Sequence, residues 1–281
     1  MKTLKSIRRR ISSTKSTQKL TRAMKMISTA RLRKAKVRSF NASRYQSEIY
    51  SLFCDVFKRA GDLSHPLLEK SSATANADVI VISSDKGLCG TFNENLFKFM
   101  RSPAEKNGVH FVLGRKGRDH LKRLNKNIAG EIINASEAEI EQYFEKLVND
   151  IVKRFLGGES CGAFIFYNRL EGSTTVVPNV MQILPIPVDK IKKSYQPDYI
   201  YDPSAAKVLD SLVHEFISST LNAAYANSVT AELTARMVAM ENATKNADDL
   251  IKRLTLDLNR ARQTAITTEL MDIVGGAEAL K

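Results

Sequence analysis

Near both ends of the chain, apolar residues recur every three or four positions. At the start they are Leu4, Ile7 and Ile11, then Leu20, Ala23, Met24, Ile27 and Ala30, and later Tyr45, Ile49, Leu52, Phe53, Val56 and Ala60. That spacing predicts one face of a long helix, crossed by a weak polar patch at Ser12–Thr17. At the far end Leu209, Leu212, Phe216 and Ala224 precede Ile251, Leu254, Leu258, Ala261 and Ala265. Ala231, Ala235, Ala239, Ala243 and Ala247 fall every fourth residue, a row that drifts by about 40° per step unless two helices coil around each other. Asp248 with Lys252, and Asp249 with Arg253, are favourable pairs for its outer face.

Helix breakers separate these ends from the middle. There is no proline before Pro66 or after Pro203, no glycine before Gly61, and none between Gly172 and Gly275. At 1.5 Å per residue the two ends make rods of about 80 and 105 Å, too long for the interior of a compact domain of this mass. Two such helices at opposite ends predict an antiparallel coiled coil. Its longer second helix projects past the first through "NRARQTAITTELMDIVGGAEAL".

The middle alternates between two periods. Strands are expected at Asp78–Ser84, Val109–Leu113, Ile128–Ile133, Ala163–Tyr167 and Thr174–Leu184, with helices at Asn93–Met100, Gly117–Leu124 and Glu137–Leu156. This order predicts a small, mainly parallel sheet. The expected fold is therefore α/β plus a long coiled coil. Residues 1–60 and 204–281 form the shaft, 75–190 a Rossmann-like α/β domain, and 61–74 with 191–203 the connections.

Charge sharpens this division. The 281 residues carry a net charge of +13. Residues 1–60 hold 17 Lys and Arg against Glu48 and Asp55, while the rest is nearly balanced. Cys54, Cys89 and Cys161 stand far apart with no CxxC pair, which fits a reducing compartment. The four histidines show no ligand spacing, so no metal centre is expected. No apolar run reaches the ~20 residues that a membrane helix needs.

One stretch invites a chemical reading. "VIVISSDKGLCGTFNENLF" is a strand, a glycine turn and a helix start, the layout of a phosphate-cradling loop. It lacks both GxxxxGK[ST] and GxGxxG, and Lys86 precedes the first glycine instead of following the last. The turn therefore reads as structural and as a possible contact surface, with no nucleotide or other cofactor. Neither a nucleophile elbow nor a convergent acid–base pair is present, and the carboxylates of "SEAEIEQYFEKLVND" suit a solvated helix face. The basic arm, with Arg8–Arg10 and "ARLRKAKVR", suits either nucleic acid phosphates or an acidic protein or membrane surface. Pattern alone leaves that choice open.

Three segments bear on it. "IRRRISSTKSTQKLTRAMKMISTARLRKA", "SSDKGLCG" and "RMVAMENATKNADDLIKRLTLDLNRARQTAITTELMDIVGGAEAL" resemble the signatures of the gamma subunits of rotary F-type ATP synthases. The resemblance covers essentially the whole chain. It implies a non-catalytic shaft inside a ring of three alpha and three beta subunits, seated on the c-ring beside epsilon. Such a shaft is peripheral to the membrane, on the cytoplasmic face in bacteria, and has no nucleic acid partner. By the same resemblance Arg262 and Gln263 contact a catch loop of beta. Lys86, Gly87 and Cys89 lie near the acidic lever of beta, and Met24 packs between the shaft helices. The Cys-bearing insertion of chloroplast relatives is missing, and a start directly in the shaft helix fits a bacterial protein.

Overall fold

The computed structural model describes residues 4–59, 65–69, 76–100, 108–188, 199–202 and 204–278, without the side chains of Asp272 and 275–278. Most of the expected connections 61–74 and 191–203, with Pro197 and Pro203, lie outside these residues.

Helices α1 (Leu4–Arg59) and α5 (Ala205–Glu278) realise the two breaker-free ends. The polar patch of α1 stays helical. Thr14, Ser16 and Thr17 fold their hydroxyls back onto the carbonyl oxygens of Arg10, Ser12 and Ser13 at 2.9–3.2 Å, so these side chains are satisfied within the helix. Between the two helices come β1 (Asp78–Ile82), α2 (Phe92–Phe99), β2 (His110–Leu113), α3 (Arg115–Arg123) and β3 (Ile128–Ile132). They are followed by α4 (Glu137–Leu156), β4 (Ala163–Glu171) and β5 (Thr175–Leu184). Ser136 and Glu139 form a reciprocal capping box that fixes the start of α4.

Contacts are concentrated in two units. One comprises residues 1–28 and 237–281; the other comprises 29–236.

The larger unit is built on a sheet of order β3-β2-β1-β4-β5, parallel except for the β4–β5 hairpin. β1 is buried on both faces, as expected of a central parallel strand. Val79 and Val81 pack with Leu96, Val112 and Leu121 on the α2/α3 side. Ile80 and Ile82 join Phe144, Leu147 and Ile151 of α4, together with Phe53 of α1 and Val213 and Phe216 of α5. β4 runs four residues past its expected end, because pairing with β5 continues to Glu171–Thr175. Pro178 sits within β5 without breaking the ladder, since β5 is an edge strand with one unpaired side.

The smaller unit holds a two-helix seam. In α1 its buried or half-buried positions are Leu4, Ile7, Ile11, Thr14, Gln18, Thr21, Met24, Lys25 and Ser28; in α5 they are 237–241, Ala243, Thr244, Ala247, Ile251, Leu254, Leu258 and Ala261. From Leu4 to Thr21 and from Thr244 to Ala261 steps of three and four alternate strictly, the 3.5-residue repeat of a left-handed coiled coil. Thr21 and Thr244 hydroxyls meet at 2.8 Å, Gln18 donates to Asp248, and Lys25 pairs with Glu241 at 3.2 Å, which fixes an antiparallel register. Asp248 is thus engaged with Gln18, while Lys252 reaches Asp249 at 3.6 Å, not its expected partner Asp248. Carried along the pair, the register brings Leu4 level with Ala261, the last protected residue of α5.

This seam departs from the apolar face expected of α1. Leu20 is 61% and Ile27 54% exposed, and Ala23 and Ala30 are open as well, while Thr21 and Ser28 are buried. Thr14, Thr21 and Ser28 take interior positions there, while Leu20, Ala23 and Ile27 lie outside and Met24 stays half-buried. Further along α1, Tyr45 and Leu52 are also exposed, while Ile49, Phe53 and Val56 face inward as expected.

Candidate functional site

The β1–α2 connection is a dense turn. Ser84 anchors it. Its backbone N–H donates to Asn93 Oδ1 at 3.1 Å, and its hydroxyl donates to the Lys86 carbonyl oxygen at 2.8 Å. Asn93 returns its amide to Ser84 Oγ at 2.8 Å and to Cys89 Sγ at 3.4 Å. Asp85 accepts the Arg115 N–H at 3.0 Å, tying the turn to the start of α3. Alongside, Gly114 has φ +99°, and a Cβ there would sit 2.2 Å from the Ser83 carbonyl oxygen, so only glycine fits.

Of the expected contact residues, Lys86 is exposed, Gly87 is partly covered and Cys89 is buried. Burial pushes the Cys89 thiol up, against the opposing hydrogen bond of Ser84. A thiol so placed stays protonated and unreactive in the closed turn. Between them Leu88 adopts φ +64° and is 60% exposed.

Helix α5 closes the turn from the other side. Arg236 donates from Nη2 to the carbonyl oxygens of Lys86 and Gly87, both at 3.3 Å, and pairs with Glu232 at 2.6 Å. Burial raises the Glu232 carboxyl, with Arg236 acting in the opposite sense. The crevice at the carboxyl ends of β1, β2 and β3 is where open α/β sheets hold ligands. Here Tyr225, Ser228, Val229 and Glu232 of α5 line it, and the remaining cavity is about 60 Å³. Ligand pockets usually start near 300 Å³. Burial also takes the Tyr225 hydroxyl up to about 12, so it stays neutral.

The remaining expected contacts lie in the smaller unit. Met24 is half-buried next to the seam position Lys25. Arg262 and Gln263 are exposed, immediately beyond the last protected residue. Past them Ile266, Leu270, Met271, Ile273 and Val274 are all exposed on α5. On α1, Leu20, Met26, Ile27, Val37 and Phe40 are exposed too. Single exposed apolar residues are ordinary, but rows of them along helices mark surfaces that something else covers.

Sequence reasoning missed Leu88, Glu232 and Arg236. Glu232 and Arg236 do carry a signal, an i,i+4 acid–base pair in a breaker-free helix. Among the described residues no group of three His, Cys, Asp or Glu could hold a metal, and no helix is long and apolar enough to cross a membrane.

Two long terminal helices, with a doubly wound α/β unit between them in the sequence, make up a fold shared with central-stalk chains of rotary complexes. The fold is similar to chains in the mitochondrial ATP synthase of Euglena gracilis: an OSCP/F1/c-ring structure in rotational state 3 (TM-score 0.71, 18% identity, 99% of this chain and 94% of that one). It is similar as well to the Tetrahymena thermophila central stalk/c-ring (TM-score 0.61, 20% identity, 80% and 99%). Sequence carries the relation further, since the ATP synthase family model matches residues 3–280. The ATP synthase gamma chains of Pelotomaculum thermopropionicum and Geotalea daltonii are each 37% identical, with both chains fully covered. The chain belongs to the ATP synthase gamma-chain family.

Proposed function

We propose that the chain is the rotating shaft of an F-type ATP synthase, turned by the c-ring and working on the catalytic ring without doing bond chemistry itself. The observation that carries this reading is the exposed apolar surface of the stalk helices. Hydroxyl and amide side chains of α1 fill part of the seam while Leu20 and Ile27 face outward, and past the end of the seam Leu270 and Ile273 of α5 are exposed as well. Such a stalk is made to turn inside a sleeve of other chains, here three alpha and three beta subunits.

Arg262 and Gln263 stand at the start of the projecting α5 segment, where a catch loop of beta can reach them. Lys86 offers its ammonium to the acidic lever of beta from a turn held by Ser84, Asn93 and Arg236. Met24 steadies the stalk where its helices meet. Epsilon and the c-ring complete the partners, and the chain stays peripheral, on the cytoplasmic face in a bacterium. A non-catalytic role agrees with the missing GxxxxGK[ST] and GxGxxG patterns and with α5 lining the crevice at the carboxyl ends of β1, β2 and β3. The basic arm fits protein partners better than nucleic acid. Arg38 already pairs with Glu137 at 2.7 Å and Lys25 with Glu241 at 3.2 Å, and the family is one of ATP synthase chains.

The test is rotation. A probe fixed to a cysteine placed on the α/β unit of a surface-tethered complex is expected to turn in three steps per revolution during ATP hydrolysis. A probe that stays still while ATP is consumed rules out the shaft.

A further inference from the structure

The β1–α2 turn holds an unusual combination. Leu88 sits in the left-handed region, which a leucine adopts only under constraint, and its side chain is spent on solvent. Strain kept at an exposed apolar residue has no use for the packing of this chain, because Leu88 contributes to none of its buried clusters. What enforces the conformation is on the page. The two carbonyl oxygens just before Leu88, those of Lys86 and Gly87, both accept from Arg236. The guanidinium is aimed by the largely buried Glu232 one helical turn earlier. Ser84 fastens the Lys86 carbonyl from the other side at 2.8 Å, and Cys89, directly after Leu88, is buried against Phe92 and Ala231. The chain is thus pinned on both sides of a single outward residue.

We propose that Arg236, aimed by Glu232, is a positioning residue that locks this turn, and that the locked turn presents Leu88 as an apolar contact beside the charged contact of Lys86. The partner surface it fits has an apolar spot bordered by carboxylates. The inference rests on the proposed placement of the turn against the acidic lever of beta, and it adds to that placement both a second contact and the device that fixes it. All three contacts are made by the one nitrogen Nη2, so a lysine ammonium, with three donors on one nitrogen but a shorter reach, should keep part of the lock.

Two measurements separate the lock from the placement. Hydrogen exchange on the full-length chain reads the lock: Arg236→Ala should speed exchange of the amides of residues 86–90 at least tenfold, with Arg236→Lys in between and the strand β1 unchanged. Unchanged exchange overturns the lock. In the assembled complex, with Cys54, Cys89 and Cys161 replaced by serine, Leu88→Cys should crosslink to a cysteine in the acidic segment of beta. Crosslinking should slow about tenfold in the Arg236→Ala background and partly recover with Arg236→Lys. No crosslink in the parent background refutes the placement of the turn, while the exchange result still judges the lock. Leu88→Gly isolates the contact, since glycine takes the left-handed backbone freely. It should keep or raise the melting temperature and lower coupled turnover several-fold; wild-type turnover would remove Leu88 from the interface.

Discussion

The two units are held together by different materials. Residues 29–236 enclose a core of branched and aromatic side chains, with Phe53, Phe144, Ile151 and Ile165 fully excluded from water. In residues 1–28 and 237–281 the protected seam includes Thr14, Gln18, Thr21, Lys25, Ser28 and Thr244. The first unit draws its stability from apolar burial, at about 25 cal/mol per Å². The second draws more of its order from register-setting hydrogen bonds and ion pairs, each worth only ~1 kcal/mol. A stalk that leaves Leu20, Met26 and Ile27 exposed has fewer apolar residues for its own seam.

The contrast can be tested by substitution. Ile151→Ala, in the middle of α4, should destabilise the α/β unit most, by about 3–4 kcal/mol in denaturant unfolding, because a packed site cannot collapse around the cavity. A loss under 1 kcal/mol would mean that this core is as loose as the seam.

Arg154→Met comes next. Arg154 donates to both oxygens of Asp78 at 3.2 Å, and Asp78 is 1% exposed. Removal strands a buried carboxylate, at a cost of about 3 kcal/mol. Burial already raises the Asp78 carboxyl against the pull of Arg154, so adding Asp78→Asn to Arg154→Met should recover most of the loss. Failure of that rescue would refute the stranded-charge account.

His110 gives the same unit a pH dependence. Burial lowers its basicity, against a hydrogen-bonding contact with the Asn127 carbonyl oxygen at 3.2 Å. The unfolded chain then binds a proton more readily than the folded one. Stability should fall as pH drops from the ordinary histidine value of about 6.5 toward the depressed folded value. Thermal melts across that range should show the slope, and His110→Asn should flatten it.

Smaller effects belong to the stalk. Thr21→Ala breaks the hydroxyl pair with Thr244 and should cost ~1 kcal/mol. Replacing Thr21 and Thr244 together by valine should come close to neutral, since neither partner is then left unpaired. A large loss in the double variant would show that the seam depends on its polarity. The smallest change in stability is expected at Arg262 and Gln263, which are exposed. Replacing both with alanine should leave melting temperature and helicity in place and slow the turnover of the assembled enzyme. Unaltered turnover would remove these two residues from the coupling contact.

Much of the fold was readable before any coordinates. Missing prolines and glycines marked the two long helices, β-branched runs marked the strands, and α4 begins and ends where its pattern does. The inward face of α1 was harder to read. Hydrophobic periodicity points to Leu20, Ala23 and Ile27, but it cannot say whether an apolar face meets this chain or another. Polar seam residues such as Gln18 and Thr21 leave no apolar trace. At the turn, Gly87 and Gly90 announced a bend, and family resemblance drew attention to Lys86 and Cys89. Nothing in the letter L marks a leucine held at φ +64°, because the constraint comes from Arg236, 148 positions away.

The end of α5 has a further consequence, for the life of the free chain in a cell. Beyond Ala261 no described residue of α1 lies alongside the helix, and Ile266, Leu270, Met271, Ile273 and Val274 face water. A segment of this length is marginal as an isolated helix and should fray and re-form quickly. Its greasy, intermittently unwound end is what chaperones bind and proteases cut. Copies made in excess over their partners should therefore be short-lived, and those that find a sleeve protected. Pulse-chase of the chain made with and without its partners should show this difference in lifetime.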